Sequence, residues 1–488
     1  MAKRAGLSAP RQDATDWKWH EAKWSSIPAS IIWGQDRRME AENYLASGYG
    51  IRLAMSARTT GRASLGDLAR VWQPSRLKGI QVSREYGTPF LAATQVFDLR
   101  PTPRKFLSLD RTDNVENRMV KAGTILVTCS GSVGRATLSH SAHLNTLISH
   151  DLLRVSPKDE AHWGWVYAFL RSPQGRAMMG AAQYGHVIKH LETSHLDALP
   201  VPMLRNDLLK KFQIAADQIL ELRTKSFEQL QEAEDIFASC FPSLAFDGDV
   251  SLGFSVRASQ MFDRRRRLDA SCFVPKTEQI MLAYSKHAER IDPLSRVTSR
   301  VFVPGRFKHI YGDGGMPYLD SADILEVNPD IVKFVLSLSE EEQLDYHVEP
   351  GWLLIPCSGQ VYGNIGHTVM ATEWHVGKVF TNHILRVCPN DRIRGGYLQC
   401  VMGHPSLGRP QIVRFAFGSS VPEISAADVA TLGIPRLSSV VENAIADLME
   451  SSSIARDKAD ELEQSIAHEA ELLIDHFIAG DSTAFIIP

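Results

Sequence analysis

Seventeen histidines and six cysteines are the side chains best suited to metal or nucleophilic chemistry, and their spacing supports neither. The cysteines, at 129, 240, 272, 357, 388 and 400, include no C-x-x-C pair, the spacing by which two thiolates share a structural zinc. No H-E-x-x-H occurs, and His150, His186, His190 and His383 stand apart from other ligand types, so each is read as structural. The tetrapeptide from Asp159 to His162 spells the DEAH of a helicase metal site, but that site works with a G-x-x-x-x-G-K-[ST] phosphate loop, which the chain lacks. Asp159 follows Pro157 just ahead of a helical pattern, where a carboxylate serves as a cap. Ser130 and Ser132 lie in C-S-G-S-V-G rather than in the G-x-S-x-G frame that exposes a nucleophilic serine. The cluster YGDGG, Tyr311 to Gly315, has no following helix and is read as a turn. No Pro-Pro-aromatic tetrapeptide or glycine-rich cofactor strand of an amino-methylating enzyme is present. The expectation is a chain without catalytic residues, cofactor or metal of its own.

The positive signal is repetition. GTILVTCSGSVGR (123–135) and GWLLIPCSGQVYGN (351–364) each run an apolar strand into a Cys-Ser-Gly turn, at an offset of 228 residues. Four more blocks recur in the same order. RRMEAENY (37–44) matches RRLDASCF (266–273), and GTPFLAATQVF (87–97) matches GMPYLDSADIL (315–325). SHDLLRV (149–155) matches TNHILRV (381–387), placing Arg154 on Arg386, and YGHVIKHLETSHLDALPVP (184–202) matches FGSSVPEISAADVATLGIP (417–435). Offsets drift only from 228 to 233, and chance matches would not stay collinear. The chain is read as an internal duplication.

The elements that must carry these turns are legible as mixed α/β. Short β-branched strands alternate with Gly, Pro and Asn turns: TPFLAATQVF, TILVTCS and DLLRVS, then MPYLDSADI, WLLIPCS and HILRV. One helix is expected inside each arm, WGWVYAFLRSPQGRAMM and GGYLQCVMGHPSLGRP. A long helix follows each arm. Leu208, Phe212, Ile219 and Leu222, then Phe227, Leu230 and Phe237, mark one apolar stripe. Ile445, Leu448, Ala455, Leu462, Ile466, Leu473 and Phe477 mark the other at 3–4 spacing. So narrow a stripe is a coiled-coil seam, and the simplest burial packs one helix against the other. The alternative lays each helix on its own globular arm.

At 488 residues the chain is too long for one core and divides into two or more domains. No apolar run approaches the roughly 20 residues that cross a bilayer, and the opening MAKRAGLSAPRQDATDWKWHEAKW lacks a signal-peptide apolar core. With the scattered cysteines, the expectation is a cytoplasmic protein with reduced thiols. The net charge of −3 hides a division. Between Glu442 and Asp475 ten acidic residues face only Arg456 and Lys458, a net of −8, which leaves the remainder at +5. Basic residues gather at Arg100, Arg104, Lys105, Arg111, Arg118 and Lys121, and in DRRRRLD (263–269). That distribution permits nucleic-acid binding; a solvated surface has the same look.

Two α/β arms, each with a strand into an SGS-G-like turn, a closing G-x-x-I-x-x-L…L-x-x-L-P-V-P pattern and a long helix, resemble one family. It is the DNA-specificity (S) subunit of type I restriction–modification enzymes, and the resemblance covers about residues 37–480. It implies a non-catalytic, sequence-specific reader of a bipartite target in double-stranded DNA. Residues 37–203 would be target recognition domain one, 204–262 a spacer helix with linker, 263–436 recognition domain two, and 437–488 the second spacer helix and tail. The helices would form an antiparallel coiled coil that spaces the arms and docks partners. Those partners are DNA methyltransferase (modification) subunits, which use S-adenosylmethionine, and a helicase-nuclease (restriction) subunit, which uses ATP and Mg²⁺.

The resemblance implies which residues touch DNA. Small residues let a turn approach DNA closely, although Gly131, Gly134, Gly359 and Gly363 also serve simply to permit tight turns. Beside them the arms diverge: Ser132 and Arg135 in the first, Gln360, Tyr362 and Asn364 in the second. Arginine pairs bidentately with guanine, and Gln or Asn with adenine. YGHVIKH and FGSSVPE form a second divergent pair, adding His186, Lys189, Ser419 and Ser420. Arg104, Lys105, Arg306 and Lys308 suit phosphate contact. The stripe residues Leu208, Phe212, Ile219, Leu222, Ile445, Leu448, Leu462, Ile466 and Leu473 would hold the helix pair. Two features depart from the family. The Pro- and Glu-Gln-rich helix opening is replaced by PMLRNDLLKKFQIAADQI and PRLSSVVENAIADLM, and residues 1–36, with Trp17, Trp19, Trp24 and Trp33, have no counterpart. That extension is open to three readings: a packed element, a partner-binding arm or mostly disorder. Two rival functions stand beside the first, a stand-alone DNA-binding scaffold of phage defence and an enzyme of unrecognised site.

Overall fold

The structure is a computed structural model that describes Ala29 and residues 43–486, except 45–46, 77–78, 113–114, 183–188, 243–252, 264–266, 337 and 340–345. Residues 1–36, apart from Ala29, and His186 therefore lie outside the described residues. The chain divides into two compact units. The first comprises Met1–Phe97, Pro101–Glu221 and Ala459–Pro488, and the second Asp98–Arg100 and Leu222–Lys458. The division falls inside the two long helices, so each unit takes a length of both, where the sequence reading set the helices apart as separate segments. No helix among the described residues is long and apolar enough to cross a membrane.

The first unit holds strands β1 (Arg62–Ser64), β2 (Ala69–Trp72), β3 (Gln81–Val82), β4 (Thr88–Leu91), β5 (Lys105–Leu107), β6 (Ile125–Thr128), β7 (Ala136–Leu138), β8 (Leu147–Ile148), β9 (Leu152–Pro157) and β10 (Pro200–Pro202). They form sheets ordered β2-β9-β6-β7, β3-β5-β4-β8 and β1-β10. The second holds β11 (Arg290–Pro293), β12 (Thr298–Phe302), β13 (Tyr311–Leu319), β14 (Lys333–Val335), β15 (Leu353–Pro356), β16 (Val369–Met370), β17 (Val379–Phe380), β18 (Ile384–Pro389) and β19 (Gly433–Arg436). Its sheets run β12-β18-β15-β16, β14-β13-β17 and β11-β19. Each order is the first unit's order with the corresponding strand in each place, and β3 corresponds to the start of β13, where Tyr311 pairs with Val335 as Gln81 pairs with Leu107. The parallel pairings correspond as well, β4 with β8 and β13 with β17.

Strand β6 shows why its sequence reads as an unbroken apolar run. Successive side chains point to opposite faces. Ile125 and Val127 enter the main core of the first unit, while Leu126 enters a smaller core with Leu91, Phe97 and Ile148. In β15, Leu353 and Ile355 enter the main core of the second unit, and Leu354 a smaller one with Leu319, Ile324 and Phe380. A strand buried on both faces needs apolar residues at every position.

The inner helices differ from expectation. Each is broken in two, α1 (Trp163–Arg171) and α2 (Pro173–Ala182) in the first unit, α4 (Gly395–Gly403) and α5 (Arg409–Val413) in the second. The prolines at 173, 405 and 410 supply no backbone N–H to continue a ladder. Asp159 caps as expected, accepting the Ala161 N–H at 3.0 Å. YGDGG is not a free turn: it opens β13, and a Cβ on Gly315 would meet the Val335 carbonyl at 2.4 Å. Within that strand the segment is still irregular, because Tyr311 and Met316 both pair with Val335, the residues between them step out of the ladder, and Gly314 has φ +83°.

The long helices are α3 (Asn206–Ser239) and α6 (Ser439–Ala479). In the first unit Phe212, Ala216 and Ile219 share a core with Ile466, Ala470, Ile474 and Phe477, and Leu208, Leu462 and Leu473 pack at its edge. In the second unit Ala233 and Phe237 share a core with Ile445, Ala446 and Met449, with Leu448 packed against it. Leu222 is half-buried. The cores also contain Trp165 and Phe169 of α1, and Tyr397 and Leu398 of α4. In each unit, then, residues of both long helices share a core with the inner helix of that unit. Gly164 permits the approach of α1, because a Cβ there would lie 2.2 Å from the Phe212 carbonyl oxygen.

Candidate nucleic-acid interface

The turn after β6 is held by one side chain. Thr128 Oγ1 donates to the Ser132 carbonyl at 2.5 Å and accepts the Arg135 N–H at 3.0 Å. The Gly134 N–H closes the turn on the Thr128 carbonyl at 2.9 Å. After β15 the residue in Thr128's place is Pro356, which has no hydroxyl, and the N–H that closes on its carbonyl belongs to Gly366, at 2.9 Å. The second turn is thus four residues longer than the first. Gly134 has φ +88° and Gly366 φ +77°, whereas Gly363 does not share the left-handed conformation. The counterpart of Gly134 is therefore Gly366, a correction to the sequence alignment, which missed the insertion.

Arg409, at the start of α5, supports the longer turn. Its guanidinium donates to the carbonyls of Val361, Gly363 and Ile365 at 3.0, 2.9 and 3.1 Å. These bonds tie together carbonyls of a segment that is turn throughout from Val361 to Gly366. Gln360 and Tyr362 are exposed and Asn364 is half-buried. Ile365 is fully buried and anchors the end.

In each unit the turn is joined to two other segments by the same backbone bonds. The Cys129 N–H donates to the Asp151 carbonyl, the Leu191 N–H to that of Cys129, and the Gly131 N–H to that of Lys189, at 3.1, 2.9 and 3.2 Å. The Cys357 N–H donates to the His383 carbonyl, the Ile424 N–H to that of Cys357, and the Gly359 N–H to that of Pro422, at 2.9, 2.8 and 3.0 Å. This junction brings together residues from the two divergent blocks. Gln360 Nε2 donates to the Ser420 carbonyl at 3.3 Å, and the backbone of Lys189 meets the turn at Gly131, next to Ser130. Ser132, Ser419 and Ser420 are exposed, while Lys189 is half-buried.

Other expected contacts are less available. The Arg135 guanidinium lies over the ring of Phe97 at 4.2 Å, a cation–π contact that orients it. Arg104, Lys105, Arg306 and Lys308 are exposed, the first two at β5 and the others between β12 and β13. Two members of the basic gathering are drawn in from the surface: Arg118 is fully buried and donates to the Ser75 carbonyl at 2.9 Å, and Arg100 is half-buried, paired with Glu234 and donating to the Gly403 carbonyl. In DRRRRLD, Arg267 is spent on the Phe415 and Ala416 carbonyls, both at 2.8 Å.

Behind each turn lies a buried arginine. Arg154 donates to the Ile148 and Ser149 carbonyls at 2.8 and 2.9 Å and to that of Leu152. Arg386 donates to the corresponding Phe380 and Thr381 carbonyls at 3.2 and 3.3 Å and to that of Ile384. Burial lowers Arg154 only to about 10, so it stays charged at neutral pH. The thiols beside the turns are not thiolates: burial pushes Cys129 up to about 12 and Cys357 up to about 11.

Two of the histidines read as structural have partners in the turns. His190 and His383 each bond the serine of a Cys-Ser-Gly turn, through Nδ1 at 3.1 Å to Ser130 and 2.9 Å to Ser358. The acidic run of α6 is also less free than its charge suggests. Glu442 pairs with Arg436, Asp447 and Glu450 with Arg394, and Glu469 with Lys211, while Glu463 accepts from Tyr167. Arg409, Asp151, His190, His383 and Glu423 were not singled out as site residues. The repeat held a signal for the last four, since it sets Asp151 against His383 and His190 against Glu423.

No family model matches the chain, and no curated protein matches it. Among solved structures, it is similar to the S subunit of a type I restriction–modification system from M. genitalium, at 14% identity and a TM-score of 0.27, over 86% of this chain and 96% of that one. It is similar to the HsdS subunit from Thermoanaerobacter tengcongensis at 12% identity and a TM-score of 0.26, over 86% and 96%. A third similarity, again at 12% and 0.26, covers 86% of this chain and 97% of a chain from a study of complex assembly and conformational transition of the type I R-M system.

Proposed function

We propose that this chain is a non-catalytic DNA-specificity subunit of the type I restriction–modification kind, reading a bipartite target in double-stranded DNA. The observation that carries the reading is one three-segment junction built twice around turns of different length and different side chains. A bipartite target calls for two readers of like backbone and unlike side chains, because direct readout depends on side-chain donors and acceptors. In this reading the units are two target recognition domains from an internal duplication. Arg135 with Ser132, and Gln360 with Tyr362 and Asn364, read bases. Lys189, Ser419 and Ser420 line the second divergent segment, and Arg104, Lys105, Arg306 and Lys308 meet phosphates.

The long helices act as an antiparallel spacer and dock methyltransferase subunits, with a helicase-nuclease subunit completing the enzyme. Lys211 meets Glu469 in the first unit and Ser226 meets Ser452 in the second; partner numbers that fall as the helix numbers rise support an antiparallel pair. S-adenosylmethionine, ATP and Mg²⁺ belong to the partners. The test is methylome sequencing of cells with and without the gene. Loss of one two-part methylated motif is expected. An unchanged methylome, with the purified chain still binding duplex DNA, would favour a scaffold that recruits no methyltransferase.

A further inference from the structure

Ser130 and Ser358 occupy the same place in the two units: the Ser130 hydroxyl sits between an acid and a base, and the Ser358 hydroxyl bonds a base, with an acid on the segment bridged to its backbone. In the first unit Ser130 Oγ donates to Asp151 Oδ1 at 3.1 Å and lies 3.1 Å from His190 Nδ1. A hydroxyl has one proton to give and two lone pairs to accept with. With its proton committed to Asp151, the contact with His190 has the ring N–H as donor. Ser149 Oγ donates to the other carboxylate oxygen at 3.0 Å and fixes the acid in place. In the second unit the position of Asp151 is taken by His383, whose Nδ1 is 2.9 Å from Ser358 Oγ. The position of His190 is taken by Glu423, bridged backbone to backbone with Ser358 as His190 is with Ser130.

The acid and the base have exchanged segments, and the serine between them has not changed. A hydroxyl tolerates that exchange because it serves a donor on one side and an acceptor on the other, whichever way round they stand. Two carboxylates or two imidazoles around one hydroxyl would not be equivalent: two carboxylates offer no donor and repel each other. Exchange of both partners together, with the backbone bonds of the junction retained, is what a requirement for one acid and one base predicts.

We propose that Ser130, Asp151 and His190, and again Ser358, His383 and Glu423, form one positioning clamp built twice with acid and base exchanged. The clamp holds each turn against the closing segment beside it. Ser130 stands two residues before Ser132, and Ser358 two before Gln360, so the clamp sets where the divergent side chains point. The inference rests on the DNA-specificity reading and identifies residues that act through others, touching no base themselves.

The test uses the full chain and a duplex DNA library with randomised positions, from which bound duplexes are selected and sequenced. Four proteins are compared: the native chain, Asp151→His, His190→Glu, and the double variant, which copies the second unit's arrangement. Thermal unfolding of each is measured in parallel. Each single variant should lose about tenfold in discrimination at the half-site of the first unit, as expected for one charge-assisted bond. The double variant should recover to within about threefold of native, and the other half-site should be unaffected throughout. Ser130→Ala should mimic the single variants and prevent recovery in the double background. A double variant as defective as its two parents combined would overturn the clamp while leaving the DNA reading intact. Selection of no two-part motif by the native chain would overturn that reading and the clamp with it.

Discussion

Replacing Arg409 by alanine removes the guanidinium that spans the longer turn of the second unit, and the consequence can be sized. The side chain donates to three carbonyls, those of Val361, Gly363 and Ile365. Hydrogen bonds to a charged donor contribute about 1.5–3 kcal/mol each. The turn is largely exposed, and water takes over part of each bond, so each carbonyl accounts for about 1 kcal/mol and three for about 3 kcal/mol. At 1.4 kcal/mol per factor of ten, the ordered turn loses about 100-fold in population against its open forms. The turn still starts and ends in fixed places, because Ile365 is buried and the Gly366 N–H bonds the Pro356 carbonyl at 2.9 Å. The effect should therefore stay local. Hydrogen exchange at the Gly363 and His367 amides, which bond the Gln360 and Asn364 carbonyls, should quicken by about 100-fold, and exchange along β15 should not change. In duplex selection, discrimination at the second unit's half-site should fall while the first unit's is retained. Arg409→Lys, which offers a point charge instead of a planar fork, should fall between. Unchanged exchange at Gly363 would refute the reasoning, and equal acceleration along β15 and β18 would show that Arg409 supports the unit as a whole.

Four further outcomes are expected. Burial lowers His143 to about 4, and its neutral ring is already satisfied, with Nδ1 accepting the His140 N–H and Nε2 donating to the Val96 carbonyl. Below the ordinary value of about 6.5 the unfolded chain binds a proton that the folded one refuses. Stability should thus fall as pH drops from about 6.5 towards 4, by on the order of 3 kcal/mol from this residue; thermal unfolding at pH 7 and 4.5 should show His143→Gln with a shallower slope. Tyr167→Phe takes a 2.6 Å hydrogen bond from Glu463, which is 1% exposed, and should destabilise the first unit by about 1–3 kcal/mol in urea unfolding. Inserting four residues near Lys225, matched by four near Ser453 to preserve the helix contacts, adds about 6 Å at 1.5 Å per residue; the methylated motif should gain spacer and keep both half-sites, and an unchanged spacer at full activity would remove the helices from arm spacing. The isolated chain should transfer no radiolabelled methyl group to DNA, and transfer by it would sink the non-catalytic reading.

The sequence alone determined the repeat, because collinear blocks survive without knowledge of contacts, and with it the strands β6, β15, β9 and β18 that carry the junction. It also determined the helical stripes, since a 3–4 spacing is a local property of the chain. It could not decide what the stripes pack on: Phe212 and Ile466 lie 254 residues apart, and one core takes in both helices and the inner helix α1. Nor could it see where the second turn is longer. Gly363 and Gly366 are both glycines, and only backbone closure onto Pro356 tells which is the pivot. Charge misled for the same reason, since Arg118 and Arg267 count as basic surface until burial and carbonyl partners are known. The meeting of Ser130, Asp151 and His190 belongs to tertiary structure entirely. Three segments separated by 21 and 39 residues converge on one hydroxyl, and no local pattern reports a contact made across that much chain.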